Sequence, residues 1–342
     1  MSKTDHNHLH APLLGWFARH GRELPWRTDP EPYRVWLSEI IMQQTRISQG
    51  MAYWQRFVAA WPTVDRLAGA DEQQVMRLWQ GLGYYSRARN LHRAAKLIAA
   101  MGAFPQTYAE IIRLPGVGPY TAAAIASLCF GEAQAVVDGN VYRVLSRLYA
   151  IATPIDTTQG QRLFRDLARD ILPPDRAADW NQAMMDLGAM VCTPRNPQCG
   201  ECPLNVYCAV YPDGTAENHP VKQGKVKQRE RRFIYLWVEC GGCVALRRRP
   251  GGDIWQGLWE PYMMEVTGCG TAALPPWAEG AVLLRSGMKH VLSHQVLFAA
   301  AYRVEADRRP TLPGDYRWVP LDEVDHYGLP RLVQKLFALT DT

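Results

Sequence analysis

Cys192-Thr-Pro-Arg-Asn-Pro-Gln-Cys199-Gly-Glu-Cys202-Pro-Leu-Asn-Val-Tyr-Cys208 is the stretch on which the reading of this chain turns. Four cysteines fall within seventeen residues, spaced C-x6-C-x2-C-x5-C. Four thiolates gathered in this way make an iron–sulfur or metal site. A structural zinc site more usually shows two C-x2-C knuckles separated by a longer insert. One short gap flanked by two longer ones favours a 4Fe–4S cluster, with Cys192, Cys199, Cys202 and Cys208 as its ligands. Disulfides are the bland alternative, disfavoured because no secretory signal peptide opens the chain. The same argument predicts a reducing, cytoplasmic compartment.

Immediately upstream, Trp180-Asn-Gln-Ala-Met-Met-Asp-Leu-Gly188 reads as a helix leading into the cysteine loop. Before it, Val136-Val137-Asp138-Gly139-Asn140 opens a helix carrying Val141, Val144, Leu145 and Leu148. Asp138 or Asn140 suits its N-cap, since a short polar side chain there accepts from free backbone N–H groups. Further back, a short helix from Thr107 runs into Leu114-Pro-Gly116-Val117-Gly118-Pro-Tyr120, and an Ala-rich helix follows through Leu128. This is a helix–hairpin–helix pattern. Glycines let the turn approach another backbone, and the amides opening the second helix can hold a phosphate without reading a base. A Gly-rich turn between any two helices is the competing reading.

Near the start, residues 11–20 read as an amphipathic helix with Leu13, Leu14, Trp16 and Phe17 inward. A second helix is predicted from Pro32 past Gln44. Glu39 lies within it among Val35, Ile40, Ile41 and Met42. A carboxyl in such surroundings loses solvation and its pKa rises, which suits a general acid; a surface helix Glu is equally compatible. Residues 50–100 are strongly helical and interrupted by Gln80-Gly-Leu82-Gly-Tyr84-Tyr85-Ser-Arg87, an apolar and aromatic tip. Such a tip either packs in the core or inserts between stacked bases.

His6, His8 and His10 read as part of a loose polar tail. The net charge of +5 permits nucleic-acid binding without demanding it. No apolar run reaches the ~20 residues needed to cross a membrane, so no membrane partner is expected. No Gly-rich phosphate loop of the Walker or dinucleotide type is found in the N-terminal half.

Composition shifts after Tyr211. Residues 212–232 are polar and basic and read as a linker able to lie along DNA. From Phe233 the pattern alternates as in strands, turning at Gly241-Gly242. Further strand-like runs near 281–285, 295–304 and 316–319 and a helix from Pro330 to Leu339 predict a small α+β domain. Cys240 and Cys243 form an isolated C-x2-C pair, a weak metal signal. The expected organisation is 1–211, a linker 212–232, and 233–342.

The ordered set LPWR, SEIIMQQT, GLGYYSRARN, LPGVGPYTAAAI, VVDGNVYRVLSR, WNQAMMDLGAMVC and the four-cysteine loop resembles the adenine DNA glycosylases, the MutY family, over residues 11–215. The resemblance implies a mainly α, two-lobed helix–hairpin–helix glycosylase domain with an Fe–S loop, followed by a small α+β Nudix-like (MutT-like) domain. It implies base excision repair: hydrolysis of the N-glycosidic bond of adenine opposite 8-oxoguanine, or guanine, in double-stranded DNA, by a monomer working at the nucleoid. Glu39 would be the acid and Asp138 its ionised partner, with Tyr120 and Asn140 positioning them. Arg27 and Gln182 would line the adenine pocket. Gln44, Thr45, Leu82 and Tyr84 would fill or wedge the opened stack. Gly116, Val117 and Gly118 would meet phosphate, as would Arg195 on the cysteine loop. Ser293 and His294 would meet 8-oxoguanine, on a Leu292-Ser-His loop where relatives commonly have Phe-Ser-His.

The related lyase-type glycosylases for oxidised pyrimidines place a Lys where Tyr120 stands; a phenol forms no Schiff base, so strand cleavage is not expected. A non-catalytic Fe–S DNA-binding or redox sensor is a third reading. A nucleotide pyrophosphatase is disfavoured, because G-x5-E followed by R-E-x2-E-E is absent from the C-terminal third.

Overall fold

The computed structural model describes residues 6–224, 228–266 and 273–338. Two compact units emerge: residues 1–68 with 93–224, and residues 69–92 with 225–342. The segment holding Leu82 and Tyr84 thus groups with the C-terminal part of the chain.

In the first unit the helices His10–His20, Gly139–Leu148, Thr158–Asp170 and Ala177–Met190 share one core built on Leu13, Trp16, Leu145, Phe164, Trp180 and Leu187. The helix Pro32–Met42 packs on Ile47–Ala60 and on Pro119–Phe130, which in turn meets Ala177–Met190. The starts of these elements follow ordinary chemistry. Pro32 occupies the first turn, where no N–H is needed, and the Glu31 carboxylate accepts from the N–H of Tyr33 at 3.1 Å and of Arg34 at 3.0 Å. Thr107 and Glu110 form a reciprocal capping box that starts the hairpin's short first helix, Tyr108–Ile111.

The helix from Pro32 stops at Met42, short of the expected end beyond Gln44. Gln43 turns to extended backbone and Gln44 enters the left-handed region at φ 55°. The amide of Gln43 then reaches the Gly116 carbonyl at 3.4 Å and Thr121 Oγ1 at 3.3 Å. Contact with the hairpin therefore replaces a further helical turn.

The N-terminal histidines are docked, which corrects the expected loose tail. His6 Nδ1 lies 2.9 Å from Tyr149 Oη, and the His8 ring sits 4.7 Å from that of Tyr207. His10 Nε2 lies 2.8 Å from the Ile171 carbonyl. Aromatic and carbonyl partners hold them separately.

The second unit is built on a mixed seven-stranded sheet: β1 Arg229–Cys240, β2 Cys243–Arg248, β3 Trp259–Glu260, β4 Tyr262–Val266, β5 Val282–Val291, β6 Gln295–Glu305 and β7 Tyr316–Pro320. β1 is central, parallel to β6 and antiparallel to β2 and β4. It buries both faces. Phe233, Tyr235 and Trp237 face a core closed by the helix Arg331–Phe337, and Ile234, Leu236 and Val238 face a second core with Trp277 and Trp318. Period two is therefore present without a polar face. β1 starts at Arg229, inside the expected linker. Other linker residues are also engaged: the N–H groups of Gln223 and Gly224 donate to Asp156 at 2.8 and 3.1 Å. Residues 225–227 of the linker and Leu339 lie outside the described residues.

Candidate active site and iron–sulfur loop

Glu39, Tyr120, Asp138, Asn140, Gln182, Arg27 and Thr45 all line one cavity of about 530 Å³ between the two helical groups of the first unit. Each reaches it for a local reason. Glu39 is on the inner face of Pro32–Met42, with Ser38 and Ile40 buried beside it. Tyr120 follows the hairpin proline in the first turn of Pro119–Phe130. Asp138 is the N-cap of Gly139–Leu148, so its carboxylate accepts from the Val141 N–H at 2.8 Å and from Asn140 Nδ2 at 2.8 Å. Capping and the site position are one geometry.

The two carboxyls feel opposed influences. Burial pushes Glu39 up to about 7, helped by the charge of Asp138 and resisted by the Tyr120 hydroxyl and the Arg27 guanidinium. Burial also lifts Asp138 above its ordinary value, against the hydrogen bonds from Val141 and Asn140 and the charge of Arg143. The hydrogen bonds expected around Asp138 are present, but burial outweighs them. Tyr120 stays a neutral phenol, its pKa raised by burial and by both carboxylates. Its hydroxyl also lies 3.5 Å from Met185 Sδ.

Sequence reading assigned no role to Asp186, Arg22 or Arg143. Asp186 is fully buried and clasped by two arginines. Arg27 donates from Nη1 and Nη2 at 2.9 and 3.0 Å, while Arg22 donates from its backbone N–H and Nε at 2.9 Å each. Burial opposes ionisation here, but the Arg27 and Arg22 hydrogen bonds hold the carboxyl below its usual range. Asp186 therefore fixes the guanidinium that faces Glu39. Arg143 donates from Nη2 to Asn140 Oδ1 at 2.8 Å and from Nε to the Cys192 carbonyl at 2.7 Å, joining the Asp138 cap to the cysteine loop. Gly188 permits this closeness: a Cβ there would stand 2.6 Å from the Asn140 Cβ.

The four loop cysteines line one small cavity with Arg147. Burial raises the thiols of Cys199 and Cys208 and pushes Cys202 up to about 12, so only a cation at their centre would favour four thiolates together. Among the described residues no three His, Cys, Asp or Glu side chains converge closely enough for a single ion. Four cysteine thiols around one small cavity are a donor set that fits an iron–sulfur cluster. Arg147 is buried and staples the loop, donating to the carbonyls of Thr193 at 2.7 Å, Pro194 at 3.2 Å and Ala216 at 2.7 Å. Arg195 is exposed.

Gln44 is exposed, and Gly116 holds the hairpin turn at φ 79° with Val117 buried against it. Ser293 and His294 line another cavity, of about 570 Å³ within the second unit, together with Leu82, Tyr84 and the loop 252–256. Tyr84 Oη contacts Ser293 Oγ. Leu82 is buried, whereas Tyr84 is 42% exposed at φ 46°, so Tyr84 is the side chain that turn presents. Leu292 packs against the sheet core, leaving Ser293 and His294 exposed.

A helix–hairpin–helix unit with a carboxyl-lined cavity and a four-cysteine loop is that of an iron–sulfur DNA glycosylase. Residues 37–169 match the HhH-GPD superfamily of base excision DNA repair proteins, 192–208 the iron–sulfur binding domain of endonuclease III, and 234–339 the NUDIX domain. A thermostable thymine-DNA glycosylase superposes on 61% of the chain and 97% of its own, with TM-score 0.56 and 26% identity.

The chain belongs to the adenine DNA glycosylase family. It is 35% identical to the adenine DNA glycosylase of Buchnera aphidicola subsp. Baizongia pistaciae, over 96% of each chain. It is 32% identical to that of Mus musculus over 96% of this chain and 76% of the relative. Its cofactor is a 4Fe–4S cluster and it binds DNA. No helix among the described residues is long and apolar enough to cross a membrane.

Proposed function

We propose that this glycosylase is a monofunctional hydrolase acting as a monomer on adenine opposite 8-oxoguanine, and more weakly on adenine opposite guanine. The reading rests on one observation above the others: Glu39 and Asp138 line a single cavity, with Glu39 poised near neutrality. Adenine leaves deoxyribose readily only once a ring nitrogen is protonated. The base must first be flipped out of the duplex, because its reacting atoms are inaccessible in the stack. Glu39 then donates a proton to N7. As the N-glycosidic bond breaks, the electron pair departs with adenine and positive charge develops on the sugar. Asp138, ionised in its cap, stabilises that cation. Glu39, now a carboxylate, accepts a proton from the incoming water. Two carboxyls held in different protonation states at one pH follow the logic of glycosidases. Tyr120 and Asn140 hold these groups in register.

Gln182, buried beside the cavity, offers an amide suited to an adenine edge. Arg27, held by Asp186, supplies a fixed positive charge. Gln44, Thr45 and Tyr84 occupy the space left in the stack. The hairpin amides at Gly116–Gly118 and Arg195 take phosphates, and Ser293 with His294 meets the opposing 8-oxoguanine. The cluster holds the loop and takes no part in bond making.

The test is base release from duplexes placing adenine opposite 8-oxoguanine, guanine or thymine, scored with and without alkali. Release should be fastest opposite 8-oxoguanine, slower opposite guanine and negligible opposite thymine, with breaks appearing only after alkali. Breaks without alkali would instead favour a lyase.

A further inference from the structure

The turn Leu292–His294 is braced from β1. The Arg229 N–H donates to the His294 carbonyl at 3.0 Å and Gln228 Nε2 to the Leu292 carbonyl at 2.9 Å. Two residues on, the Arg231 side chain is buried, and each of its five N–H donors has a partner. Nε donates to Glu265 Oε1 at 2.8 Å and Nη2 to Glu265 Oε2 at 2.6 Å. Nη1 donates to Asp253 Oδ1 at 2.5 Å and Nη2 to Asp253 Oδ2 at 2.9 Å. The fifth bond runs from Nη1 to Gln295 Oε1 at 3.2 Å, one residue past His294. Asp253 is gripped again by Arg249 Nη2 at 2.8 Å.

One guanidinium therefore joins three segments: β4, the loop carrying Asp253, and the start of β6 beside Ser293 and His294. The Asp253 loop holds Trp255 in a left-handed backbone at φ 59°, with its ring 5.9 Å from that of His290 on the strand entering the turn. Loop and turn line the same cavity. A buried ion network of this kind adds little net stability compared with apolar packing, while its forked geometry admits one arrangement of the segments it joins.

We propose that Arg231 and Asp253 are positioning residues that fix the Ser293–His294 turn and thereby set the preference for 8-oxoguanine over guanine opposite the target adenine. The inference rests on the reading of that turn as the part that meets the opposing base. Neither residue belongs to the cavity of Glu39 and Asp138.

The experiment measures single-turnover base release from both duplexes for wild type, Asp253→Asn, Arg231→Lys and the double variant Ser293→Ala/His294→Ala, with thermal melting as a folding control. Gln295→Leu, which removes only the fifth bond, serves if the charge variants fail to fold. Lysine keeps the charge of Arg231 but not its fork. The expected result is that the ratio of the two rates falls about tenfold in every folded variant, while in the Arg231, Asp253 and Gln295 variants the rate opposite guanine stays within about twofold. If the double variant loses the ratio and the Arg231, Asp253 and Gln295 variants keep it, the positioning role is wrong and the turn's assignment stands. An unchanged ratio in the double variant removes the turn's assignment and the inference with it. A parallel fall in both rates for the Arg231 or Asp253 variants shows a merely structural network and overturns the proposal.

Discussion

Glu39 and Asp138 share a cavity, and what separates them is the number of donors each meets. Asp138 has a backbone N–H and an amide in its cap; Glu39 has apolar neighbours, one phenol and a guanidinium shared with Asp186. Glu39→Gln should therefore lower single-turnover base release about 10²–10⁴-fold, the usual worth of a general acid, while DNA affinity measured by fluorescence anisotropy changes little. The acid must be protonated, so the wild-type rate should fall about tenfold per pH unit above the Glu39 value of about 7. It should fall again on the acid side, where Asp138 takes up a proton, at a pH above the usual carboxylate range. Stability carries the same signature. A carboxyl whose folded pKa is raised contributes fully below its unfolded value and loses that contribution as pH rises through about 7. The melting temperature of Glu39→Gln should thus exceed wild type by more at pH 8.5 than at pH 5. The burial of Glu39 was legible only as one of two equal readings of its apolar segment. Asp186 was not legible at all, because the arginines that explain it lie 159 and 164 residues away and its own helix reads as ordinary.

Elements explain why these groups stay in place. The helix Ala177–Met190 can approach the Asp138 cap only because position 188 has no side chain. Gly188→Ala should displace Asn140, lowering both base release and the melting temperature. The hairpin offers the opposite case. A Cβ at Gly118 meets nothing within 4 Å, so Gly118→Ala should fold and melt like wild type. A methyl group would nevertheless keep phosphate from the amides, and DNA affinity should fall to a similar extent whatever base lies opposite adenine. Helix and strand periodicity located many of the elements but passed over the helix Thr158–Asp170 and the strands β3 and β4. The end at Met42 was missed because Gln43-Gln44-Thr45 contains neither Gly nor Pro to mark it, and the cause is a contact with Gly116 and Thr121, far away in sequence. The cysteine spacing announced the cluster, whereas its staple, Arg147, carries no local sign of burial.

At the scale of the whole molecule, the chain divides by contact and not by sequence order. Residues 69–92 are helical and lie amid N-terminal motifs, yet they group with the sheet unit through pairs such as Glu72–Arg248. Nothing in their composition tells this, because the partners are more than 150 residues downstream. The basic composition of 212–232 likewise concealed a strand start at Arg229 and the hydrogen bonds of Gln223 and Gly224 to Asp156. In the second unit, Glu260 is buried between Arg247 and Arg249, so this carboxylate is spent on internal pairing. Sedimentation in the absence of DNA should report a single species of 38.7 kDa.

The most direct test of the central claim is the pH dependence of single-turnover adenine release opposite 8-oxoguanine, measured on wild type and Glu39→Gln side by side. The account predicts a bell whose alkaline limb lies near pH 7 in wild type, and in the variant a rate about 10²–10⁴-fold lower with that limb lost, although it still binds the duplex. A variant that releases adenine at the wild-type rate, or a wild-type alkaline limb unmoved by the substitution, would contradict it.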